Sequence, residues 1–75
     1  MPHVIVKMHS GRTEQQKKEL ADEIVKAVMS KLGSSEGSIS VAIEDINKED
    51  WASKVYKPEI ESKQENLYKK PDYKM

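Results

Sequence analysis

The sequence predicts an α/β (α+β) chain built as one βαβ unit. Three observations predict it: a β-branched segment over residues 3–8, an apolar stripe at helical spacing over 13–32, and a second alternating segment from Ile39. Seventy-five residues accommodate a single domain, spanning 1–75.

The first strand runs from His3 to Met8. Val4, Val6 and Met8 point one way, and His3, Ile5 and Lys7 the other. A strand that begins almost at the first residue is unusual, because chain ends fray unless something ties them down. Ser10-Gly11-Arg12 then forms a loop. Thr13 is placed as an N-cap, and Gln16 three residues later completes a capping box. Leu20, Ala21, Ile24, Val25, Val28, Met29 and Leu32 recur at three- and four-residue spacing, so a helix is expected over about 13–32. Gly33 ends it at the position where positive φ costs glycine little.

After a polar loop, Ile39, Val41 and Ile43 alternate with Ser40, Ala42 and Glu44 and mark a second strand. Strand, helix and strand in this order predict a parallel pair joined by a right-handed crossover. Asn47 to Asp50 is a turn or one short helical turn leading to Trp51. Pro58 suits a first helical position, and Ile60, Gln64, Leu67 and Tyr68 predict a second helix that Pro71 stops.

Composition narrows the function. A chain this short buries only about 60% of its unfolded surface, and 36% hydrophobic with 5% aromatic residues is thin filling for a core. Small chains compensate with disulfides, a metal or a partner subunit. Cysteine is absent, and His3 and His9 lie roughly 20 Å apart on an extended strand, too far to share a metal. Oligomerisation remains, and two open-edged strands invite pairing with a second copy. The 13 basic and 13 acidic residues balance, with no basic stripe for nucleic acid. No apolar run approaches membrane-spanning length and no signal-peptide layout opens the chain, so a cytoplasmic location is expected.

No phosphate loop, nucleophile elbow or His-Glu metal pattern is present. Pro2, Arg12 and Trp51 are the candidates that remain. Met is commonly trimmed before a small residue such as proline, and the product is a free secondary amine; with Met1 attached, the nitrogen is an inert amide. Burial against an apolar wall and a nearby cation both lower the pKa of an amine, and a base poised near neutral pH suits deprotonation of a carbon acid. Without such a site Pro2 is a processing signal ahead of a strand. Arg12, the one arginine among 13 basic residues, precedes the helix, where its charge opposes the dipole by a few tenths to ~1 kcal/mol. Guanidinium grips a carboxylate bidentately, and a helix start favours anions. Trp51 is either a packing residue or the wall of a site. His3 and His9 are placed on the strand surface or at an interface.

Met-Pro opening a strand, Ser10-Gly11-Arg12-Thr13 with Gln15-Gln16-Lys17 opening the helix, Ser38-Ile39-Ser40-Val41, Trp51, and Lys69-Lys70-Pro71 with Tyr73 together make the chain resemble the 4-oxalocrotonate tautomerase family. Its length is similar to that of the dimeric phenylpyruvate tautomerase branch. The resemblance implies Pro2 as catalytic base, Arg12 as the carboxylate ligand, and Trp51 where other members carry an aromatic residue beside the base. Ser40 stands where hexameric members carry a second arginine, which argues against a dicarboxylate and for a 2-keto acid with an uncharged tail. Ser40 then offers a hydrogen bond. The family's dimers join two units into a four-stranded sheet covered by two helices.

The expectation is therefore a homodimeric keto–enol tautomerase that needs neither cofactor nor metal. Its substrate is a small 2-keto acid or its enol, such as phenylpyruvate. Two alternatives accompany it: a hydratase or dehalogenase relative using protonated Pro2 as general acid, and a non-catalytic dimeric βαβ module.

Overall fold

The computed structural model describes residues 1–75. Strand β1 (His3–His9) leads into helix α1 (Glu14–Leu32), which crosses over to strand β2 (Ser40–Ile46). The strands are parallel neighbours, with His3 opposite Ser40 and His9 opposite Ile46. A two-stranded sheet leaves one edge of each strand open.

The helix starts and stops where local chemistry directs. Thr13 Oγ1 accepts the Gln16 amide N–H at 3.1 Å, and Gln16 Oε1 accepts the Thr13 N–H at 2.9 Å, which closes the expected capping box. Gly33 takes φ 70°, and its N–H reaches the Met29 carbonyl at 3.0 Å. Lys17 reaches Asp45 at 2.5 Å, which assigns α1 to the sheet face of Val41, Ile43 and Asp45. Through the register, Val4, Val6 and Met8 share that face. Hydrogen bonding to Asp45 raises the Lys17 pKa against the lowering effect of desolvation.

The opposite face carries His3, Ile5 and Lys7 with Ser40, Ala42 and Glu44. Lys7 pairs there with Glu59 of a second helix, α2 (Ala52–Glu61), and that bond raises the lysine's pKa. Ile5 is still 50% exposed.

Helix α2 departs from the expected second helix. It begins six residues before Pro58, ends at Glu61, and excludes Leu67 and the fully exposed Tyr68. Its winding is π-type, as in the Ser62 N–H to Lys57 carbonyl bond of 3.2 Å. In an α-helix the Pro58 ring would collide with the carbonyl four residues back. The wider turn moves that carbonyl aside, and proline sits inside the helix instead of at its start.

The core is small. Only Val55 and Tyr56 of α2 are buried, each 5% exposed, and α1 buries no residue fully. The chain measures 37 × 31 × 19 Å with a radius of gyration of 13.9 Å, against about 11 Å for a compact chain of this length. It is a thin plate that buries little of its apolar surface, in keeping with the thin apolar composition.

Candidate active site

The site residues inferred from sequence fall into two groups at opposite ends of β1. Pro2 and Ser40 form the first. The Ser40 N–H donates to the Pro2 carbonyl at 3.2 Å, extending the ladder one residue beyond β1. Ser40 Oγ lies 2.6 Å from Nδ1 of His3, its register partner. Met1 is fully exposed, so nothing in the fold shields the Met1–Pro2 bond from trimming.

Arg12 and Trp51 belong to the other end. There the Ser10 N–H bonds the Ile46 carbonyl at 3.1 Å, and Ser10 Oγ donates to Asn47 Oδ1 at 3.3 Å. Arg12 follows two residues later, exposed, in the loop before α1. Gly11 turns that loop with φ 124°, a conformation that side chains disfavour. Trp51 sits beside the last residue of β1: its ring meets His9 edge-on at 82° with centroids 4.9 Å apart. Its indole N–H donates to the Tyr73 hydroxyl at 3.0 Å. Tyr73 in turn lies 5.7 Å, between centroids, from the buried Tyr56.

Seven strand residues at about 3.3 Å each separate the two ends by roughly 23 Å. No substrate of a few carbons touches both within one chain. The two clefts on the chain, of about 440 and 460 Å³, lie elsewhere, one between α2 and the tail, the other between α1 and Ile39. Neither is lined by Pro2, Arg12, Ser40 or Trp51.

Two residues enter the candidate site that the sequence did not single out. The sequence places His3 on the strand surface or at an interface, and its position next to Pro2 is the available signal. Tyr73 counted only toward a resemblance; its bond to Trp51 spans 22 residues, beyond any local pattern. No group of three or more His, Asp or Glu side chains is arranged to hold a metal ion, and no helix is long and apolar enough to cross a membrane.

A family model described as tautomerase enzyme matches residues 2–56. A probable tautomerase of Xylella fastidiosa is 45% identical over 73 residues, covering 97% of this chain and 89% of that one. A tautomerase PptA of Cronobacter sakazakii is 37% identical over 76 aligned positions, covering 100% of both. Among solved structures, YwhB, a homologue of 4-oxalocrotonate tautomerase, superposes with a TM-score of 0.61 at 45% identity, over 63% of this chain and 77% of its own. A 4-oxalocrotonate tautomerase isozyme of Methylibium petroleiphilum gives 0.65 at 32% identity, over 67% and 81%.

Proposed function

We propose a defined reaction for this chain, which belongs to the tautomerase family: a 1,3-proton transfer between a 2-keto acid and its enol, with Pro2 as base. Trimming of Met1 frees the Pro2 nitrogen. That amine takes the proton from C3 of the keto form and returns it to the C2 oxygen, or runs the sequence backwards. Arg12 grips the carboxylate with two parallel N–H···O bonds. Trp51 walls the site and keeps the base in an apolar setting, which favours its neutral form. Ser40 holds the Pro2 end in position.

The observation that carries this reading is the placement of the two groups at the two ends of a strand with an open edge. When two copies of β1 pair antiparallel along that edge, the start of one lies beside the end of the other. A two-fold axis then sets Pro2 and Ser40 of one copy against Arg12 and Trp51 of its partner, twice. The sheet grows to four strands, and a homodimer carries two composite sites. Neighbouring strands lie about 4.8 Å apart, so Pro2 and Arg12 come within reach of one small substrate.

The reading is tested by NMR titration of the Pro2 nitrogen, on protein whose intact mass shows Met1 removed. A midpoint near neutral pH is the expected outcome. A midpoint well above it leaves the amine protonated at neutral pH, and the general-acid alternative takes its place.

A further inference from the structure

We propose that His3, oriented by Ser40, donates a hydrogen bond to the C2 oxygen of the substrate and stabilises the negative charge that forms there. The inference rests on the tautomerase reading and adds to it the group that supports the enolate.

The reaction needs such a group. When Pro2 removes the C3 proton, the C3–H electrons become the C2=C3 π bond and the C2=O π pair moves onto oxygen. An enolate results until protonated Pro2 delivers its proton to that oxygen. A donor aimed at developing charge is the usual source of rate in such steps. The chain has one arginine, and the carboxylate uses it, so the C2 oxygen requires another partner near Pro2.

His3 and Ser40 meet that requirement by position and by count. His3 follows Pro2 in the chain, while Ser40 binds the Pro2 carbonyl through its N–H and His3 through its hydroxyl. The three residues are thereby held together. A neutral imidazole brings one N–H and a serine one O–H. Their mutual bond of 2.6 Å consumes one of these donors and leaves one. With the Ser40 hydroxyl donating to Nδ1, the proton of the ring resides on Nε2, and Nε2–H is the free donor. Ser40 is then a positioning residue that fixes the tautomer, and His3 is the residue that touches the reacting oxygen.

Steady-state conversion of phenylpyruvate by the trimmed protein tests this, using Pro2→Ala, His3→Phe, His3→Gln, Ser40→Ala and the His3→Phe/Ser40→Ala double variant. Thermal unfolding and Trp51 fluorescence select the variants that fold. His3→Phe, which keeps a flat ring and loses the donor, is expected to lower kcat by about 10- to 100-fold, with KM within about 2-fold. His3→Gln, whose amide still donates, recovers part of that loss. Ser40→Ala costs kcat less than His3→Phe, and the double variant is no slower than His3→Phe alone, because Ser40 works through His3. A kcat for His3→Phe equal to that of the unaltered protein overturns the proposal, as do fully additive losses. If Pro2→Ala is inactive while His3→Phe is unaffected, only this inference fails. If Pro2→Ala is fully active, the underlying reading fails with it.

Discussion

The two ends of β1 are built differently. At the Pro2 end, every contact is fixed by the strand pair itself: Ser40 faces His3 in register, and its amide extends the ladder to Pro2. At the His9 end, the Ser10 bond to Ile46 extends the same ladder, but the aromatic contacts come from distant parts of the chain. Trp51 arrives after β2, and Tyr73 from the last three residues. The family match covers residues 2–56, while the tail that supplies Tyr73 lies outside it. The first end is therefore a property of the βαβ unit. The second can be altered by changing the tail without disturbing the strand ladder. In the proposed dimer this separates the chemistry, held by the rigid end, from recognition, held by the adjustable one.

Substitutions that act on one end alone sharpen that contrast. Replacing Pro2 with Ala should have the largest effect, lowering kcat by about 10²- to 10⁴-fold with little change in KM; steady-state kinetics on protein of verified mass decides it. Arg12→Ala should act on the opposite parameter. Loss of a charge-assisted bidentate contact costs roughly 1.5–3 kcal/mol, so KM should rise about 10- to 100-fold while kcat changes little. A fall in kcat with constant KM would assign Arg12 to the chemical step and break the division. Trp51→Phe should be mildest: it keeps a ring against His9 and loses the indole bond to Tyr73, at about 1 kcal/mol in urea unfolding. The Pro2 titration should be unmoved by losing that bond. A shifted Pro2 midpoint would mean that the tail bond reaches the base.

Much of the fold was legible because its signals are local. Thr13 with Gln16 and Gly33 after Leu32 mark α1 through contacts three or four residues apart. Alternation marks both strands. Pro58 misled for a definite reason: proline at a helix start is the economical solution for an α-helix, and the widened turn of α2 removes the clash on which that rule depends. Leu67 and Tyr68 continue an apparent spacing past Glu61, but they follow only a single 3₁₀ turn over Gln64–Asn66.

The candidate site was legible as a set of residue types, and less so in its arrangement. The separation of Pro2 from Arg12 follows from counting residues along an extended strand, yet three chemically suited residues suggest one pocket until that count is made. The pairing of His3 with Ser40 spans 37 positions. It depends on the parallel register, and the alternation that marks a strand does not say which of its residues faces which in the next.

The division of the site between the ends of β1 has a consequence for inheritance. A copy that has lost Pro2 still carries a sound Arg12 end, and a copy that has lost Arg12 still carries a sound Pro2 end. In the proposed dimer, when both are made in one cell, half of the composite sites of each mixed dimer are complete. Two alleles, each impaired alone, would then restore part of each other's activity.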